Sequence, residues 1–168
     1  ANPLYQFMDQ RGDVRMCATF VDFMWNNDDP RLYVYSDGSG GYYGSEPLSQ
    51  NEDADQPGDY VAAIDAPVRF MNTSELHFIL AEATFSSDQA AAITHAQNGI
   101  YQSLAEAGVT TNANFDAYVS GIASLEDIMT EKWVSTYGTV QPFNDWRRTG
   151  FPALTVPADA TNTVFPRR

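Results

Sequence analysis

The segment Glu131–Leu154 reads EKWVSTYGTVQPFNDWRRTGFPAL, and its reading decides how the chain folds before it and closes after it. Upstream of Gly138, the residues Leu125, Ile128, Met129, Trp133, Thr136 and Tyr137 recur at helical spacing. Ser124, with Asp127 three positions later, supplies the cap at the start of that helix, and Gly138 supplies a stop. Beyond the glycine the segment reads either as a second short helix or as an arginine-rich surface loop. Asn144, Asp145, Trp146, Arg147 and Arg148 read best as a structural clasp. In that reading Trp146 sits in a turn closing the last helical hairpin. Its indole N–H, Asp145 and the planar arginine forks then tie the hairpin to a returning strand-like tail through directed hydrogen bonds.

Outward from this segment, residues 67–130 also carry helical patterns. Asn72 with Glu75 has the form of a capping box, followed by a helix of about 14 residues that places Leu76, Ile79, Leu80 and Ala83 on one apolar face. Ser86 with Gln89 repeats the capping pattern and starts a helix carrying Ile93, Ala96, Ile100 and Leu104, stopped at Gly108. Asn114 introduces Phe115, Tyr118, Val119 and Ile122. Short turns join the helices in pairs, which is the grammar of tetratricopeptide-like stacked helical hairpins, although the consensus signature of that repeat is absent. The expected fold is mainly α, with irregular loops and room for a short β-hairpin.

Residues 1–66 form a loop-rich segment with a short helix and an aromatic loop, and residues 67–168 a helical-hairpin region with an extended tail. Phe20, Phe23 and Met24 fall at i, i+3 and i+4, so the short helix ends at Asn26-Asn27 before Asp28-Asp29-Pro30. Leu32–Tyr35 reads as a short β-prone run, and Ser36–Gly41 as a turn-rich loop leading to Tyr42-Tyr43. The acidic run Asn51–Asp55 reads as a solvated loop. Its likeness to a calcium loop fails because Pro57 and Ile64 occupy ligand positions.

Composition narrows the function. Twenty-two acidic against nine basic residues give a formal charge of −13, which repels nucleic acid and anionic headgroups. A hydrophobic fraction of 43% suffices for a packed core, and no stretch approaches the roughly 18 apolar residues of a spanning helix. The single cysteine, Cys17, excludes an internal disulfide and reads as a small core residue. His77 and His95 lie on neighbouring helices without a third ligand in any metal-binding spacing, so neither a metal nor a cofactor is expected. Serines lack a nucleophile elbow, no phosphate loop occurs, and acidic pairs are too many to single one out. An enzyme is not expected.

The aromatic loop carries the stronger signal. Trp25, Tyr33, Tyr35, Tyr42 and Tyr43 gather around glycines and Asp37. A sugar presents a C–H face to an aromatic plane and hydroxyls to a carboxylate, so these six residues are the candidate ligand-binding set. The competing reading has alternate tyrosines of a short strand packing inward.

Four strings, in order, resemble the C-terminal portion of SusD/RagB-like proteins: Asp29–Leu32, Phe70–Ala83, Glu131-Lys132-Trp133 through Asn144–Pro152, and Pro166-Arg167-Arg168. The resemblance implies tetratricopeptide-like helix pairs and a non-catalytic role. It implies a lipoprotein of Bacteroidetes-type bacteria, exposed at the cell surface on the outer membrane, that delivers captured nutrient, usually glycan, to a SusC-like TonB-dependent transporter. The family's acylated N-terminal cysteine is absent here, so membrane attachment would be only through a lipid anchor this chain lacks. The chain is accordingly expected to be a fragment of a larger SusD-like domain. A tetratricopeptide-like scaffold that binds protein is the alternative.

Overall fold

The computed structural model describes residues 1–49 and 51–157, so the expected tail at 158–168, including Pro166-Arg167-Arg168, lies outside the described residues. The described residues are mainly helical and divide into two compact units: 1–68 with 156–157, and 69–155.

In the first unit, α1 (Pro3–Gln10) begins at Asn2, whose Oδ1 accepts from Leu4 N at 2.7 Å and Tyr5 N at 3.2 Å. The Asn2 Nδ2 donates to Ala66 O at 2.9 Å and so ties the two ends of the unit together. The expected short helix is α2 (Ala18–Asn26), which buries Ala18, Phe20, Val21 and Met24. The expected β-prone run is instead a single helical turn, α3 (Leu32–Tyr35). A fully buried ion pair overrides its β propensity: Arg31 Nη2 lies 2.6 Å from Asp29 Oδ2, both side chains are 0% exposed, and Asp29 Oδ1 also accepts from Arg31 N. With the carboxylate holding the amide two residues on, the chain enters a turn rather than a strand. Another one-turn helix, α4 (Asp59–Ala62), packs against α1 and α3. No β-hairpin forms among the described residues. Two isolated bridges, Cys17 with Ser45 and Ser36 with Pro57, are what strand pairing there is among the described residues of this unit. Cys17 is exposed, not core, because its chain neighbours Met16 and Ala18 take the buried positions.

The second unit is built around one helical hairpin. The hairpin pairs α5 (Thr73–Thr84) with α6 (Gln89–Ala107), and α7 (Ala113–Ser120) and α8 (Leu125–Ser135) follow it, α7 packing on α6. Glu106, at the end of α6, accepts from Ser74 N at 3.1 Å and Ser74 Oγ at 2.9 Å, so its carboxylate sits at the positive end of α5 and closes the antiparallel pair. Gly99 makes the close approach possible: a Cβ there would lie 3.0 Å from the Phe78 ring. α8 packs on both α5 and α6. The core joins Phe78, Ala96, Ile100, Phe115, Val119 and Ile128, all effectively removed from water. Each large member contributes about 1.5–3 kcal/mol by burial. Tyr118 of α7 donates to Glu131 of α8 at 2.9 Å.

Four sequence expectations change here. The buried face of α5 is Ser74, Glu75, Phe78 and Ala81, while Leu76, Ile79 and Leu80 are exposed, so the apolar stripe points away from the core. Only half of the box at Asn72 forms: its Oδ1 accepts from Glu75 N at 2.8 Å, while the Glu75 side chain is buried. Asp88, not Ser86, caps α6, and Asn112, not Asn114, caps α7. The box at Ser124 and Asp127 forms in full, and Gly108 terminates α6 with φ 72°.

Candidate functional site

Helix α2 ends with Trp25 on its exposed side, and α3 directs Tyr33 outward. Residues two apart on a helix point in nearly opposite directions, so Tyr35 faces the core. It is 0% exposed, with Phe20 at 6.4 Å and Tyr60 at 4.6 Å between ring centroids, which removes it from the expected ligand set.

The loop 36–44 brings Tyr42 between the other two rings. Trp25 and Tyr42 lie 6.0 Å apart with planes 23° from parallel, and Tyr33 meets Tyr42 edge-on at 5.0 Å and 88°. Tyr42 is half-buried at φ 63°, while Trp25 and Tyr33 remain 52% and 56% exposed. Tyr43 is also exposed, at 50%, and its backbone O accepts from Asp55 N at 2.8 Å. Of the six expected residues, Trp25, Tyr33 and Tyr42 are therefore brought into ring contact, and Tyr43 is exposed next to Tyr42 in the chain.

Asp55 anchors this loop, and the sequence reading missed it. Expected to be solvated, it is 0% exposed, accepting from the Ser36 hydroxyl and from Gly40 N at 2.6 Å. Gly40 is the only residue type that fits at its position, because a Cβ would lie 2.2 Å from Asp53 O. An aspartate inside an acidic run carries no local mark of burial; the tightly spaced glycines at 38, 40 and 41 were the available signal of close backbone approach. Asp37 is exposed, yet its Oδ1 already accepts from Ser39 N at 3.1 Å, Ser39 Oγ at 2.8 Å and Gln56 N at 2.9 Å. Its geometry is that of a loop organiser.

The five residues read as a clasp lie on a helix, α9 (Gln141–Thr149), so Trp146 is not in a turn. Its Nε1 donates to Pro152 O at 3.1 Å. Arg148 grips Glu82 of α5 and, at 2.7 Å, Asp145, which in turn takes Lys132 of α8 at 2.8 Å. Arg147 is exposed and lies over the Phe143 ring at 5.6 Å, and Asn144 reaches Gln141 at 3.3 Å. Glu75 faces this charged group. Its burial pushes the carboxyl pKa up, Lys132 pulls it down, and Asp145 pushes it further up.

His77 and His95 approach to 6.2 Å between ring centroids, but no group of three potential metal ligands exists among the described residues. Among the same residues, no helix is long and apolar enough to cross a membrane. No curated protein matches the chain. The family model SusD-like_2, described as starch-binding and associating with the outer membrane, matches residues 1–168, the whole chain.

Proposed function

The chain belongs to the SusD-like family, whose description is starch-binding and association with the outer membrane, and from that premise we propose that it captures a neutral glycan at the outer-membrane surface through Trp25, Tyr33, Tyr42 and Tyr43. The observation that carries this reading is the trio of exposed Trp25 and Tyr33 with half-buried Tyr42, in which a stacked pair is flanked by an edge-on ring. Large aromatic faces held rigid before binding suit the C–H face of a sugar, and they lose little side-chain entropy on contact. The net charge of −13 supports a neutral rather than an anionic ligand.

The family is one of binding proteins, and no catalytic step is assigned to this chain. By the resemblance, the captured glycan passes to a SusC-like TonB-dependent transporter, and the protein works as a cell-surface lipoprotein. Calorimetry against a panel of neutral polysaccharides, beginning with soluble starch, tests the ligand class. Saturable heat with at least one neutral glycan supports the reading, and silence across the panel sinks it.

A second reading, a helical scaffold that binds protein, is favoured by one observation: Phe70, Met71, Leu76, Ile79 and Leu80 leave an apolar surface in water on and beside α5. Replacing Leu76 and Leu80 by serine separates the two. Unchanged glycan affinity in that variant keeps the aromatic trio as the binding site, whereas a loss would move attention to α5.

A further inference from the structure

The aromatic trio has no enclosure of its own. The hollow between Trp25, Tyr33 and their neighbours holds only about 30 Å³, which is room for a water molecule. At the opposite end of α2 lies a groove of about 820 Å³, lined by residues of the segment 12–17 and by residues 45–49 and 51–52. That size falls within the roughly 300–1,000 Å³ typical of small-molecule sites. One end of α2 therefore offers stacking faces without walls, and the other offers walls without aromatic rings.

Residues 42–45 run continuously from one to the other. Tyr42 stacks on Trp25, while Ser45 N donates to Met16 O and Ala18 N to Ser45 O, each at 2.8 Å. Gly44 lies so close to α2 that a Cβ would come 2.4 Å from Ala18 Cα. Seven residues of helix separate Ala18 from Trp25, about 10 Å at the helical rise, which is more than one pyranose ring spans.

The lining of the groove fits a sugar. Pro47 and Leu48 give it apolar surface, and Ser49, Glu46 and Glu52 give it hydroxyl and carboxylate partners. Arg15, the one basic residue among the described lining residues, donates to Gly12 O at 2.7 Å, Val14 O at 2.9 Å and Glu52 O at 3.2 Å. Its guanidinium serves the local backbone, and the carboxylates around it disfavour a phosphate or sulfate.

We propose that this groove is a second subsite continuous with the aromatic trio, so that the ligand is a neutral oligosaccharide lying along α2 with one ring stacked on Trp25 and Tyr42 and another in the groove. The inference rests on the glycan-binding reading of the trio. Cys17 lines the groove, is exposed, and is the only cysteine of the chain, so its thiol reports occupancy without any substitution.

The test measures the rate at which an aromatic disulfide reagent modifies Cys17 in the presence of maltoheptaose, of the matching cello-, xylo- and manno-oligosaccharides, and of glucose. Calorimetry on the same samples records binding independently. An oligosaccharide present at about ten times its Kd is expected to slow modification about tenfold, in line with simple occupancy, while glucose leaves the rate unchanged. In a second arm, prior capping of Cys17 with a bulky maleimide is expected to weaken that oligosaccharide about tenfold or more. An oligosaccharide that gives binding heat but leaves both the rate and the capped protein's affinity unaltered overturns the groove and leaves the trio standing. No binding heat with any of the sugars overturns both.

Discussion

At the scale of single residues, two acids are buried among charges. Asp29 is fully buried against Arg31 and takes part in several of its hydrogen bonds. Removing one member of such a pair leaves an uncompensated buried charge, so Asp29→Ala should lower unfolding free energy by about 3–5 kcal/mol in urea titrations. Glu75 has its pKa raised chiefly by burial. A carboxyl whose folded pKa lies above its unfolded value contributes stability that is fully present below the unfolded pKa and is lost as pH rises through the folded one. Melting curves recorded upward from pH 4 should therefore show a destabilising component in the wild type that Glu75→Gln removes. A variant that keeps the wild-type slope would place the titrating group elsewhere. Neither residue announced its role: Asp29 sits in a run that reads as a helix breaker, and Glu75 in one that reads as a capping box. Both gain their environment from partners that helix periodicity does not specify.

At the scale of elements, the loop 36–44 and the helix α9 carry different predictions. Gly40→Ala would drive a methyl group into Asp53 O, so the loop must move and take Tyr42 with it. Glycan affinity should fall about tenfold or more, with little change in the helical circular dichroism of the second unit. On α9 we propose that the clasp acts through Arg148 rather than Arg147, since Arg148 alone of the two is shown gripping Glu82 and Asp145. Its side chain is half exposed, so screening limits each pair to about 1 kcal/mol or less. Arg148→Ala should lower the Tm measurably and leave glycan affinity alone, while Arg147→Ala should change neither.

The helices were legible in outline because caps and glycine stops are local: Ser124, Asp127 and Gly108 act within one turn of their own positions. The facing of α5 was not legible. Leu76, Ile79, Leu80 and Ala83 satisfy the spacing rule, but periodicity marks a face without saying what covers it. The core side of α5 instead uses Phe78 and Ala81 with two buried polar residues that find partners on α6 and near α8. The tyrosines at 33 and 35 show the same limit. A strand would have aimed both one way, and the turn set by Asp29 aims them apart.

At the scale of the whole molecule, an acidic chain in the SusD-like family joins a helical-hairpin unit to a loop-rich unit that presents exposed aromatic rings. The proposed capture of a neutral sugar calls for no metal, cofactor or nucleophile. The charge balance predicts selectivity as well as binding: a sulfated polysaccharide at low salt should give no measurable heat under conditions in which a neutral glycan saturates the protein. The central claim is that the Trp25–Tyr42–Tyr33 surface holds the glycan. Calorimetric titration of the wild type, Trp25→Ala and Tyr42→Ala with the best neutral glycan tests it most directly. Each substitution is expected to weaken binding about tenfold or more while the Tm stays near the wild-type value. Wild-type affinity in both folded variants would contradict the account.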